Sequence, residues 1–151
     1  MKIRIEVDDT ISENEVLIRC GRLDEEVQLI QQTLSRMTVA GQSYCFFKGE
    51  TEYYISLGEI LFFETDEGII NVHTKDDVYH TKNKLYELEK NLPGYFMRVS
   101  KSTILNVDKI FSMTKKVSAC LVEFQNSPKQ VYVSRYYFKP LKDKLEETRM
   151  R

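Results

Sequence analysis

The sequence predicts a mostly β fold with a few short helices, preceded by a β-hairpin and one further helix. Three features point there. Short segments rich in Tyr, Phe, Val and Ile recur from residue 43 to residue 133, and these side chains suit the pleated, half-buried surface of a strand. Turn sequences such as Thr65-Asp66-Glu67-Gly68 and Thr74-Lys75-Asp76-Asp77 punctuate them, with residues that bend the backbone at low cost. Helical spacing of apolar residues is confined to a few stretches.

The first 37 residues stand apart. Ile3, Ile5 and Val7 alternate with polar neighbours, as in a half-buried strand, and Glu15–Cys20 forms a second short apolar segment. The polar run 8–14 between them suggests a hairpin. Leu23, Val27, Ile30, Leu34 and Met37 then form one stripe of an amphipathic helix. Asp24 is placed to cap it, and Glu25 and Glu26 fall in the first turn, where the helix dipole favours negative charge. Such a piece is too small to close its own core. It is expected to dock on the rest of the chain or on a second copy, in a dimerising or regulatory role.

From residue 38 to 151 a second domain is expected. Its strands are predicted at 43–48, 51–56, 60–65, 68–74, 77–80, 96–99, 103–106, 109–114, 117–124 and 129–133. Leu85, Leu88 and Leu92 mark a helix that Pro93-Gly94 ends. Ser134 is a helix N-cap by type. Because proline removes a backbone donor from a helix interior, either 134–139 is a separate turn and the last helix starts at Pro140, or the helix is kinked there; the first is favoured, since proline suits a first helical position.

Composition narrows the function. With 42% hydrophobic and 30% charged residues, the chain falls among folded globular proteins and outside the disordered class. No apolar run approaches a membrane span. Cys20, Cys45 and Cys120 form no CxxC pair, which argues for reduced, mostly buried thiols in a cytoplasmic protein. The glycines form no phosphate-binding loop, and the carboxylate pairs lie in turns. His73 and His80 straddle a predicted hairpin turn, where surface or pairing roles outweigh metal ligation. No enzyme, cofactor or metal site is expected.

Charge is unevenly distributed. Residues 98–151 carry 12 Lys+Arg against 5 Asp+Glu, whereas residues 1–97 carry 10 against 18. A basic third on an acidic remainder suits a partner of fixed negative charge. Two segments concentrate the cations at strand ends: Arg98-Val99-Ser100-Lys101-Ser102-Thr103, and Val131-Tyr132-Val133-Ser134-Arg135-Tyr136-Tyr137. Arg and Lys there can meet base edges or phosphates, and Ser and Thr hydroxyls can donate to phosphate. The plainer alternative is that Ser134 only caps a helix, Arg135 is solvated, and Ser100–Ser102 is an ordinary hairpin tip.

The stretches "FMRVSKSTILNVDKI" (96–110) and "VYVSRYY" (131–137), with "ISLGEILFFETDEGIINVHT" (55–74) upstream, resemble LytTR-type (LytR/AlgR family) DNA-binding domains over residues 38–149. The resemblance implies short β-sheets stacked in an elongated arrangement, whose loops enter successive major grooves of double-stranded DNA. Thr51 would lie on the first contact loop, Lys101 on the second and Arg135 on the third. Arg98, Lys48, Ser102, Ser134 and Tyr136 would position the phosphate backbone. The chain departs from the family in carrying Ser100 and Lys101 where His or Asn is common, and Glu50 and Glu52 beside Thr51.

The 37 preceding residues are too few for a receiver domain. The chain therefore resembles the stand-alone regulators, which are response-regulator-like in their DNA-binding part alone. Its expected partners are direct-repeat promoter sites, a second copy on DNA, and a membrane-bound regulatory protein. Two other readings stay open. One is a protein-interaction adaptor or anti-activator on the same fold without DNA binding. The other is a single-strand binder that stacks bases on Tyr53, Tyr54, Tyr136 and Tyr137.

Overall fold

The computed structural model describes residues 1–12, 14–40 and 43–149. The chain divides into two compact units, Met1–Ser35 and Arg36–Arg151.

Within the larger unit, ten strands are present among the described residues. β1 (Ser43–Lys48), β2 (Thr51–Ser56), β3 (Ile60–Asp66), β4 (Ile69–Thr74), β5 (Val78–Thr81), β6 (Phe96–Arg98) and β7 (Thr103–Asn106) form an antiparallel sheet in the order β2-β1-β5-β4-β3-β7-β6. β8 (Ile110–Lys115), β9 (Ala119–Phe124) and β10 (Gln130–Ser134) form a second sheet with β9 at its centre. Every strand lies within two residues of its expected span. α2 (Leu85–Asn91) and α3 (Arg135–Arg149) complete this unit.

Two hydrophobic clusters hold the strands. One joins Phe46, Ile55, Ile60, Phe63, Val72, Phe96 and Ile104 to Leu85 and Leu88 of α2. The other joins Leu61, Phe62, Val99 and Leu105 to Val122, Phe124, Val131 and Val133 of the second sheet and to Leu141 and Leu145 of α3. β3 and β7 thus bury both faces, which is why Ile60-Leu61-Phe62-Phe63 and Ile104-Leu105 read as unbroken apolar runs. Phe63 and Leu105 are wholly buried, and each such side chain contributes about 1.5–3 kcal/mol relative to exposure.

The centre of the larger sheet depends on one buried polar residue. Asn106 ends β7, donates from Nδ2 to the Ile60 carbonyl at 3.0 Å and accepts from Asp108 N at 3.0 Å. The β3–β4 ladder shifts register between Ile60 and Phe62, so Asn106 satisfies a backbone group at an irregular point of the sheet. A second shift, between Ile110 and Ser112, likewise follows a single 3₁₀ turn. The two strand entries share a geometry that no repeat in the sequence announces.

Three sequence expectations change. First, among the described residues no strand ladder forms in the predicted N-terminal hairpin. The turn itself is present, with Thr10 N and Oγ1 donating to Asp8 Oδ1 at 2.9 and 2.6 Å. Second, α3 runs unbroken from Arg135 with Pro140 inside it. The missing bond falls on the carbonyl of Tyr136, four residues back, in an exposed residue open to water. Burial of Leu141 and Leu145 offsets that loss. Third, Cys120 is buried but Cys20 and Cys45 are exposed. Cys45 precedes buried Phe46, so strand alternation turns it outward. The remaining helix, α1 (Glu25–Ala40), is capped as expected: Val27 N donates to Asp24 Oδ1 at 3.0 Å.

His73 does more than occupy a surface. Its ring stacks on Phe62, with centroids 4.1 Å apart, and neither ring nitrogen has a hydrogen-bond partner among the described residues. Burial, reinforced by the Lys129 charge, pulls its pKa down to about 4. The nearest carboxylate, Glu64, is 3.8 Å away, and burial makes it harder to ionise, so the ring is neutral at neutral pH. Below pH 6.5 the unfolded chain takes up a proton that the folded chain refuses, and stability falls until the folded pKa is reached. Urea unfolding is expected to show a loss on the order of 1–2 kcal/mol between about pH 7 and about pH 5 from this residue. His73→Phe should flatten that part of the profile; an unchanged profile would rule the residue out as its source.

Candidate nucleic-acid interface

Strand pairing carries the two cationic segments to one place. β6 and β7 pair from Phe96↔Asn106 to Arg98↔Ile104, leaving residues 99–102 as the connecting loop. Thr65 N, at the end of β3, donates to Ser102 O at 2.8 Å. In the second sheet, Ser134 ends β10 opposite Ala119. Ser134 N donates to Val99 O at 3.0 Å. That bond sets Arg135, the first residue of α3, beside the loop that carries Lys101.

Lys101 and Arg135 are both exposed. Among the described residues neither side chain forms an ion pair. Tyr136 is also exposed, its ring edge-on to Tyr137 at 4.9 Å. Ser134 and Ser102 are half-buried. Ser102 Oγ lies 3.3 Å from Ser100 Oγ and 3.4 Å from Thr103 Oγ1, so the loop hydroxyls form a short chain.

Arg98 is differently employed. Its Nε donates to Ser100 O at 2.7 Å, Nη2 to Lys101 O at 2.6 Å and Nη1 to Glu89 Oε2 at 2.9 Å. The planar fork of a guanidinium suits two carbonyls and a carboxylate at once. Arg98 therefore shapes the loop, and Glu89 of α2 anchors Arg98.

Lys48 is committed as well. Its Nζ lies 2.7 Å from Asp77 Oδ1 and 4.8 Å from the Tyr79 ring centroid. The hydrogen bond to Asp77 raises its pKa, and in return lowers that of Asp77. Thr51 follows the two-residue turn Gly49-Glu50, where Gly49 takes φ +58°, a conformation glycine adopts freely. That turn emerges beside Asp77 at the start of β5, whereas the Ser100–Ser102 loop emerges where β3 ends. The two turns thus lie at separate points of the larger sheet, and Thr51 stands apart from the Lys101–Arg135 cluster.

Sequence reading missed two lysines. Lys115 ends β8 and Lys116 opens the turn into β9, both exposed, at the end of the small sheet where Ser134 pairs with Ala119. Lys115 Nζ lies 5.1 Å from the ring centroid of Phe138 in α3. The signal available was the Lys-Lys pair at a predicted strand end, but its proximity to Arg135 depends on the pairing of β9 with β10. Acidic neighbours share the region: Asp66 and Glu67 turn the chain from β3 into β4, one strand from the Lys101 loop.

The model of the LytTr DNA-binding domain matches residues 50–146. The chain belongs to the LytTR family. Similar proteins include an uncharacterized HTH-type transcriptional regulator of Staphylococcus aureus strain COL, 24% identical over 145 residues that span 96% of this chain and 98% of the relative. Its counterpart in strain MRSA252 is 23% identical over the same coverage. A solved LytTr DNA-binding domain from Bacillus cereus superposes with a TM-score of 0.61 at 23% identity, covering 66% of this chain and 95% of that one. This LytTR chain is therefore built on the family fold. Despite the relatives' names, no two helices among the described residues are joined by a short turn, since strands separate all three.

The Arg98 arrangement can be tested in the isolated protein. Arg98→Ala removes three charge-assisted bonds and is expected to cost about 1–3 kcal/mol in urea unfolding. Arg98→Lys should not restore it, because an ammonium lacks the planar fork. Amide exchange at residues 99–103 should quicken in both variants. Unchanged protection there would show that the loop holds its shape without the guanidinium.

Proposed function

We propose that this LytTR protein is a transcriptional regulator that binds double-stranded DNA sequence-specifically, as a homodimer on direct-repeat promoter sites. Arg135 and Lys101 read base edges in the major groove. Ser102, Ser134 and Tyr136, joined by Lys115 and Lys116, hold the phosphates. The supporting observation is the Ser134 N–Val99 O bond, which joins the two chain segments that carry Lys101 and Arg135, both exposed and neither in an ion pair among the described residues. Arg135 opens α3, where the helix dipole adds positive potential. That placement costs stability in isolation and favours an anion or an electronegative guanine edge.

Lys48 and Arg98 take supporting parts in this reading. Each already faces a carboxylate at 2.7 or 2.9 Å, so its charge is largely compensated before DNA arrives. Thr51 would make a separate contact of its own, at a turn flanked by the exposed Glu50 and Glu52. These acids, with Asp66 and Glu67, favour the second reading, a protein-binding adaptor on the same fold. The two readings part on salt dependence, because phosphate contacts release counterions and an adaptor has none to release.

Selection of duplexes from a random pool is expected to enrich a repeated motif. On that motif Arg135→Ala should cost about 1–3 kcal/mol and relax the preference at one base position. Lys101→Ala or Lys116→Ala should lower the salt slope by roughly one unit, and Lys48→Ala should lower it by less. No enrichment and no salt-dependent affinity for duplex DNA would favour the adaptor.

A further inference from the structure

The Met1–Ser35 unit leaves much of its apolar surface in solvent. Ile3, Ile5, Val7, Val16, Leu17 and Leu23 are each at least 63% exposed. Large uncovered apolar patches on a folded protein mark an interaction surface. Residues 1–7 carry a strand pattern yet join no ladder. Among the described residues no backbone hydrogen bond outside helices and strands involves them. A strand sequence with free backbone donors and acceptors is a template for pairing with another chain.

The charges say which chain. The segment reads Lys2-Ile3-Arg4-Ile5-Glu6-Val7-Asp8. Its apolar residues occupy one set of alternate positions and its charges the other. Arg4 Nη2 and Glu6 Oε1 meet at 2.7 Å, as residues two apart on one strand face can. When two copies run antiparallel about Ile5, Lys2 faces the second copy's Asp8 and Arg4 faces its Glu6. Ile3 faces its Val7, and Ile5 faces itself. The two-fold axis repeats each pair, so every charge contact is between opposite signs. A slip of two residues in one direction sets Arg4 against Arg4, and in the other sets Glu6 against Glu6. Parallel in-register pairing sets every charge against its own kind.

We propose that Lys2–Asp8 pairs with the same segment of a second copy as an antiparallel strand pair centred on Ile5. A two-stranded ribbon alone is marginal in water, so the flanking Val16, Leu17 and Leu23 add apolar contact to the same interface. Asp8 stays available, because both bonds from Thr10 go to Oδ1. The interface is isologous, as closed dimers require.

The test uses the full chain without DNA, so a failure here leaves the DNA-binding reading untouched. Sedimentation equilibrium on the native sequence is expected to show a monomer–dimer equilibrium. Arg4→Glu should weaken it about tenfold or more, since two opposite-charge pairs become like-charge pairs. Glu6→Arg should do the same. Both positions are exposed, so neither change threatens folding. Mixing the two variants should restore a dimer, now a heterodimer, because the carboxylate introduced at position 4 of one copy then faces the guanidinium introduced at position 6 of the other. In a Cys20→Ser, Cys45→Ser background, Ile5→Cys should cross-link across the axis on mild oxidation and Ile3→Cys should not. A monomeric native chain, single variants that dimerise unaltered, a mixture that stays monomeric, or cross-linking through Ile3→Cys alone would each overturn the proposal.

Discussion

A single backbone hydrogen bond, from Ser134 N to Val99 O, is the constraint on which the cationic surface depends. It ties the last strand of the small sheet to the loop that ends the large one. Val99 is wholly buried, in the cluster shared by both sheets and α3. The bond is therefore the polar edge of an apolar seam, and the seam fixes its geometry. Lys101 on one side and Arg135 on the other inherit their spacing from it.

Around that link the molecule separates shaping from contact. Arg98 lies two residues before Ser100, commits three donor groups to the loop and to Glu89, and keeps its charge compensated. Lys101 and Arg135 carry no such commitment among the described residues. Preorganisation of this kind matters for recognition, because a loop ordered in advance loses less entropy on binding. Lys129 plays a comparable part elsewhere, donating from Nζ to the carbonyls of Thr74 and Asp77 at 2.8 Å each. Burial lowers its pKa, and Asp77 and Asp76 partly oppose that shift. The basic third of the chain is thus divided between residues that hold the fold and residues that face solvent.

The N-terminal unit follows a different logic. Its apolar residues outnumber what so short a piece can cover, and its strand-like segment has charges arranged symmetrically about Ile5. The larger unit buries its equivalents in two clusters. One unit buries its apolar residues in clusters of its own, whereas the other leaves many of them exposed.

Much of the β-rich unit was legible in the residues themselves. Strand alternation, short apolar runs, turn chemistry and the Leu85–Leu88 spacing are local patterns, and the ten strands among the described residues and α2 follow one or another of them. The identities of the exposed cations, Lys101 and Arg135, were legible for the same reason. The partners were not. Nothing near Arg98 in sequence indicates Glu89 on α2, nothing near Lys48 indicates Asp77, and the approach of Lys115 to α3 depends on how β9 pairs with β10. The place of Pro140 inside α3 was not legible, because local backbone chemistry disfavours it and only tertiary burial of Leu141 offsets that cost. Sequence determines which elements form, because period and turn type act within a few residues. Tertiary structure decides which charges remain free, because an ion pair is made by whichever residue the fold brings within reach.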